Sequence, residues 1–68
     1  MLNMDKQEQI SRALKGEIPA EQWMVDSREN AARSADEYAN MCWCETHAAL
    51  ATENYQEAEN LKALIYNK

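Results

Sequence analysis

The longest apolar pattern in the chain has the spacing of a helix and extends over residues 19–51. At about 100° per residue, its apolar side chains share one stripe, and Arg28 is the only charged residue inside that stripe. The stripe is rich in alanine, whose small side chain lets a second helix approach closely, and its members are Met24, Ala31, Ala32, Ala35, Tyr38, Ala39, Cys42, Thr46, Ala49 and Leu50. The pattern predicts one long central helix over 19–51.

Local signals predict the start of this helix and its core residues. Pro19 is expected at the first helical position, where proline is favoured. Ser34 with Glu37 resembles a capping box, which leaves open a break near Ser34. The large side chains of the stripe and its edge are expected to anchor the core, and these are Met24, Tyr38, Trp43 and Leu50.

A shorter helix is predicted before the long one, over about residues 3–15. Asn3 is a suitable N-cap for it, because its side chain accepts a hydrogen bond from the first turn. Gly16 is the only glycine in the chain and stands where a left-handed residue would end this helix. The first helix is therefore expected to end just before Gly16.

A second short helix is predicted over about residues 55–66, after a turn at 52–54. Asn54 with Glu57 resembles a capping box at its start. The expected fold class is all-α, with a long central helix and a shorter helix packed at each end, as a helical hairpin or small three-helix bundle. The chain, residues 1–68, is expected to form a single domain.

Composition limits the core that these helices can build. Of the 68 residues 46% are hydrophobic, but many of those are alanine and none is phenylalanine. A chain of this length is near the lower size at which a domain buries enough surface to fold alone. We therefore predict a homo-oligomer, a dimer, formed through the alanine-rich stripe or through the side that carries Trp23 and Met41.

Charge narrows the classes of partner. A net charge of −5 with scattered basic residues argues against nucleic acid and against anionic membranes. A helix-turn-helix arrangement near residues 3–30 would place three acids and one arginine in its recognition helix, which suits DNA poorly. An acidic surface instead suits a protein with a basic surface. Because no apolar run has the length of a membrane span or a signal peptide, a cytoplasmic location is predicted.

Cys42, Cys44 and His47 form the only cluster of residues of metal-ligand type along the chain. On an unbroken helix the two cysteines point to nearly opposite sides, so they are not expected to pair. Cys42 would then face the core and leave two ligands, where zinc needs three or four. Cys44 as a nucleophile with His47 as its base lacks an orienting acid and an oxyanion hole. We therefore predict no metal, no cofactor and no enzymatic activity.

A second, sparser apolar side of the long helix supports a functional hypothesis. Trp23 and Met41 point the same way, about 120° from the stripe, with Cys44 near that line. Tyr55 lies off the apolar face of the last helix. Exposed aromatic and sulfur-containing side chains are candidates for partner contact. The outward acids are expected to meet a basic surface, and they are Asp26, Glu29, Asp36, Glu37 and Glu45.

These features favour a non-enzymatic protein–protein interaction module with an acidic helical surface. Small acidic proteins of phages and mobile elements that inhibit or modulate a host protein belong to this class. The main alternative is a structural or assembly subunit that acts by helix–helix packing with copies of itself or with a larger complex. A second alternative is a helix-turn-helix DNA-binding regulator, which the charge disfavours.

Overall fold

The computed structural model describes residues 5–67 and contains three helices, α1 (Lys6–Leu14), α2 (Gln22–Cys42) and α3 (Glu45–Tyr66). Within residues 5–67 there is no strand, so the all-α fold class is confirmed. Only Trp43 and Cys44 separate α2 from α3, and these two helices pack against each other as an antiparallel hairpin. α1 lies at the open end of the hairpin, where α2 begins and α3 ends.

Both ends of α1 are closed by hydrogen bonds that the local sequence supplies. Asp5 is the N-cap, because its carboxylate accepts a hydrogen bond of 2.8 Å from the backbone N–H of Glu8. Asn3, the predicted cap, lies outside the described residues. Gly16 has the left-handed backbone expected of it, with a φ of +83°, and its N–H donates to the carbonyl of Ala13.

The prediction of one helix over 19–51 is wrong, because the chain reverses direction at Trp43 and Cys44. Trp43 has a left-handed backbone, with a φ of 56°, and its N–H closes α2 on the carbonyl of Ala39. Cys44 has an extended backbone and is the N-cap of α3. α2 passes through Ser34 without a break, so the capping-box pattern there does not end a helix.

Two further predicted boundaries differ from the structure. α2 begins at Gln22, so Pro19 lies in the connection from α1 and not in a first helical turn. The turn predicted at 52–54 is wrong, because α3 is continuous there and the helix predicted over 55–66 is its second half. The side-chain amide of Asn54 donates to the carbonyl one turn earlier at 2.9 Å, which accommodates this residue inside a helix.

Burial of the alanine-rich face accounts for the reversal. An unbroken helix over 19–51 would be about 50 Å long and would leave its apolar stripe in water. In the hairpin, small side chains from both helices are buried, and these are Ala32, Ala35, Ala51 and Ala58. A left-handed residue such as Trp43 costs about 1–2 kcal/mol. The apolar area that the two helices remove from water offsets this cost.

The hydrophobic core lies at the open end of the hairpin, where all three helices meet. Its large, fully buried side chains are Ile10 from α1, Met24 and Val25 from α2, and Leu61 from α3. Partly buried apolar residues pack around this centre, and they are Leu14, Ile18, Ala20, Trp23 and Ile65. In the part of the chain that the structure describes, α2 and α3 form the opposite end of the hairpin, next to the reversal.

Arg28, the one charged residue of the predicted stripe, joins all three helices. Its Nε donates to Glu57 of α3 at 2.6 Å, its Nη1 donates to Gln7 of α1 at 2.6 Å, and 13% of its side chain is exposed. Lys62 pairs with Glu29 at 3.0 Å, and this hydrogen bond and the charge of Glu29 raise the pKa of Lys62. Polar contacts between helices thus supplement a small apolar core.

Replacing Gly16 with alanine is expected to lower the free energy of unfolding by about 1–2 kcal/mol, because a left-handed backbone disfavours a Cβ atom. The space around Gly16 is open, so the loss would come from the backbone and not from a clash. Gly16→Asn is the matched control, since asparagine tolerates this conformation better. Urea unfolding followed by circular dichroism measures the free energy of unfolding of both variants. Equal losses in the alanine and asparagine variants would contradict a cost that comes from the left-handed backbone.

Replacing Arg28 with methionine is expected to lower the free energy of unfolding by about 1–3 kcal/mol, because hydrogen bonds to charged groups contribute about that much. Arg12→Met is the control, since Arg12 pairs with Glu8 at the surface, where both side chains are about half exposed. The control is expected to lose less than about 1 kcal/mol. Urea titrations measure the free energy of unfolding of both variants. Similar losses in the two variants would show that Arg28 contributes no more than a surface ion pair does.

Candidate functional site at the hairpin tip

The reversal between α2 and α3 presents large apolar side chains to solvent. Trp43 is 91% exposed, Met41 78% and Tyr38 58%. We call residues 36–50 the hairpin tip. Protein interfaces are enriched in Trp, Tyr and Met relative to other surfaces. Three such side chains in one short, exposed segment make the tip a candidate binding surface.

The expectation that Tyr38, Trp43 and Leu50 anchor the core is wrong, because all three are exposed, whereas Met24 is buried as expected. The molecule measures 39 × 32 × 16 Å. α1 contributes to the core only at the open end. Among residues 5–67 no third helix packs at the tip, so side chains that point away from the α2–α3 contact stay in solvent.

The tip lies in the acidic part of the molecule. Between Arg33 and Lys62 the chain has no lysine or arginine, and its acids there are Asp36, Glu37, Glu45, Glu53, Glu57 and Glu59. Glu57 and Glu59 form ion pairs towards the open end. Among residues 5–67 the ion pairs leave the three acids of the tip without a basic partner. These carboxylates therefore give the tip a negative potential.

The structure divides the predicted partner-binding residues into two groups and one separate residue, Tyr55 of α3. Those in the tip are Asp36, Glu37, Met41, Cys44 and Glu45, and those near the start of α2 are Trp23, Asp26 and Glu29. Trp23 and Met41 are separated by about 27 Å of helix, so they do not form one contact patch. Trp23 packs against the core, and Glu29 is paired with Lys62. Tyr55 lies about three turns along α3 and is exposed.

A disulfide joins Cys42 to Cys44 across the reversal, so the expectation that these cysteines do not pair is wrong. That expectation assumed an unbroken helix. Here Cys42 ends α2 and Cys44 precedes α3, and their Cα atoms are 5.2 Å apart, within the range that a disulfide spans. The C-x-C spacing is the sequence signal for this disulfide. In a helix the side chains of two cysteines two residues apart point in nearly opposite directions, so the two can pair only where the helix ends.

His47, in the first turn of α3, completes a cluster with the two sulfur atoms. Its Nδ1 is 3.7 Å from Cys42 Sγ, and its ring stacks on Tyr38 with the ring centroids 5.6 Å apart. Donor atoms of Cys42, Cys44 and His47 all lie within 4.8 Å of one another. The interpretation that Cys42 points away from the other two residues is therefore wrong.

Among the helices of residues 5–67, none combines the length and the apolar character needed to cross a membrane. The features of the tip that bear on function are its exposed apolar side chains, its unpaired acids and its cluster of sulfur and imidazole. No family model, no curated protein and no solved structure matches the chain.

Proposed function

We propose that this chain is a non-enzymatic protein-binding module that contacts a protein with a basic surface through its hairpin tip. The observation that carries the proposal is that Tyr38, Met41 and Trp43 are exposed together in a stretch with acids and no lysine or arginine. The partner is expected to offer an apolar recess for Trp43, surrounded by lysine and arginine side chains.

Trp43 is the strongest candidate for a dominant contact. An aromatic side chain buries roughly 150–250 Å², and tryptophan is enriched among interface residues whose truncation costs about 2 kcal/mol or more. Its backbone is held between two helix ends and within the Cys42–Cys44 disulfide, so little ordering is required on binding. A groove of about 310 Å³, lined by Ser34, Glu37, Tyr38 and Met41, lies beside the C-terminal part of α2 and offers room for a partner side chain.

The acids of the tip favour a basic protein over a second copy of this chain. Two tips in contact would bring Asp36, Glu37 and Glu45 towards identical carboxylates, and like charges across an interface are costly. A basic surface is instead attracted, which also accelerates association. The dimer predicted from composition stays a prediction, and part of the alanine-rich face suggested for it is buried between α2 and α3.

The proposed mode of action is coverage of a basic face that the partner uses for its own function. A host protein that binds nucleic acid presents such a face, because it neutralises phosphates with lysine and arginine. An acidic module on that face inhibits or modulates the host protein without chemistry of its own. This mode of action is consistent with an inhibitor or modulator of the phage or mobile-element type, which is the class we propose for the chain.

Glu37→Lys and Trp43→Ala are expected to reduce the capture of partners from a bacterial lysate by at least about tenfold, because hot-spot and charge-pair losses of about 1.4 kcal/mol or more have that effect. Immobilised wild type and variants would be compared by quantitative mass spectrometry. Binding of a purified partner to the wild type should also weaken as salt is raised, because the contact is between exposed charges.

Matched controls at the open end separate a tip effect from a general one. Asp26→Lys changes the net charge as much as Glu37→Lys does, and Tyr66→Ala removes an exposed aromatic ring as Trp43→Ala does. Both controls should retain the wild-type partners. If the tip variants retain them equally, the proposed surface is wrong. A large homo-oligomer in light scattering, with no other protein captured, would instead support the assembly-subunit alternative.

A further inference from the structure

Cys42, Cys44 and His47 place two sulfur atoms and an imidazole nitrogen where one metal ion can reach all three. Zinc binds thiolate sulfur at about 2.3 Å and imidazole nitrogen at about 2.0–2.1 Å, so a tetrahedral site separates a sulfur and a nitrogen donor by about 3.6 Å. Cys42 Sγ and His47 Nδ1 are 3.7 Å apart. This pair already has the spacing of two ligands on one ion.

We propose that the reduced form of this chain binds one Zn²⁺ ion through Cys42 Sγ, Cys44 Sγ and His47 Nδ1, with water as the fourth ligand, and that the disulfide form does not bind it. Zinc sites with three protein ligands and an open position include sets of two cysteines and one histidine. A disulfide sulfur carries no thiolate charge, and the thiolate is the species that binds metal. Metal binding is therefore switched by the oxidation state of the two cysteines.

The backbone at the reversal brings the two cysteines together. The left-handed Trp43 ends α2 at Cys42 and directs the chain into α3, with Cys44 as its N-cap. Backbone N–H groups in the first turn of a long helix stabilise negative charge beside them, which suits a thiolate at Cys44. A non-glycine residue in a left-handed conformation is uncommon and persists where the surrounding structure requires it.

The imidazole and the charge around it also suit a cation. Stacking on Tyr38 holds the His47 ring and restricts its orientation, as neighbours of metal ligands commonly do. Between Arg33 and Lys62 there is no lysine or arginine to repel a divalent ion. Cys42 is exposed, while Cys44 and His47 are partly buried, so an ion can enter from solvent.

The proposed switch has two steps, reduction of the disulfide and then binding of the ion. A dithiol reductant transfers two electrons and two protons, which breaks the Cys42–Cys44 bond to give two thiols and forms a disulfide within the reductant. Zn²⁺ then displaces the two thiol protons as two sulfur–zinc bonds form, and neutral His47 binds through its Nδ1 lone pair with its proton on Nε2. Binding therefore releases two protons per ion.

The test uses residues 1–68, reduced and freed of reductant under anaerobic conditions, with Zn²⁺ in competition with a chromophoric chelator. One ion per chain with a dissociation constant of about 1 µM or below is expected for the reduced protein. The oxidised protein should bind at least about 100-fold more weakly. With Co²⁺ as the probe, the reduced protein should show thiolate-to-cobalt charge-transfer absorption and the visible bands of a tetrahedral ion.

Cys42→Ser, Cys44→Ser and His47→Gln should each weaken Zn²⁺ binding by at least about 100-fold, since loss of even an outer-shell partner costs about 10–100-fold. Glu53→Gln, which lies outside the tip, is the carboxylate control and should bind as the wild type does. Far-ultraviolet circular dichroism would verify that each variant is folded, which is expected because the core lies at the opposite end.

Equal binding by the oxidised and reduced proteins would overturn the proposal, as would one ion shared by two chains. Retention of wild-type affinity by His47→Gln, or its loss in Glu53→Gln, would show that the ligand set is wrong. Because these measurements need no protein partner, their failure would leave the proposed contact through Trp43 standing. Loss of partner capture would likewise leave the zinc site standing.

Discussion

The fold depends on one contact, the burial of the small-residue face of α2 against that of α3. Alanines from both helices are buried there, and the other helix of residues 5–67, α1, has nine residues and lies at the open end. The contact forms only if the chain reverses within two residues, so a tryptophan adopts the left-handed conformation that glycine usually takes. The area removed from water along two helices of about 30 Å outweighs a local strain of about 1–2 kcal/mol.

This contact also divides the molecule into two ends with different roles. The open end holds the buried Ile10, Met24, Val25 and Leu61, and the contacts of Arg28 there join all three helices. Within residues 5–67 the tip is formed by α2, α3 and the reversal between them, and its large side chains remain in solvent. The contacts that stabilise the fold are therefore concentrated away from the proposed binding surface. Side chains at the tip can contact a partner because the core does not need them for packing.

At the tip, one backbone feature accounts for both proposed activities. The left-handed residue exposes the Trp43 ring and, at the same time, brings Cys42, Cys44 and His47 within reach of one ion. Asp36, Glu37 and Glu45, which form no ion pair among residues 5–67, lie in the same segment and would attract a basic protein and a divalent cation alike. Trp43, the residue proposed to contact a partner, lies between the two cysteines in sequence. Oxidation or reduction of the cysteines would therefore occur beside the proposed contact.

The sequence by itself determined the features that depend on neighbouring residues along the chain. Helical periodicity indicated the all-α class, the buried position of Met24 and the presence of Arg28 on the packed face. The need for a left-handed residue at the end of α1 identified Gly16. These predictions succeeded because helical periodicity and the left-handed conformation of glycine are properties of residues within one or two helical turns.

Only the tertiary structure decided where the long apolar pattern is interrupted. Ser34 and Asn54 resemble caps yet lie inside helices, whereas the true reversal contains neither glycine nor proline. Each of these segments is locally compatible with a helix, so no short pattern distinguishes them. The choice depends on contact between residues far apart in sequence, such as Arg28 of α2 with Glu57 of α3. That same choice set the exposure of Trp43 and the pairing of the cysteines.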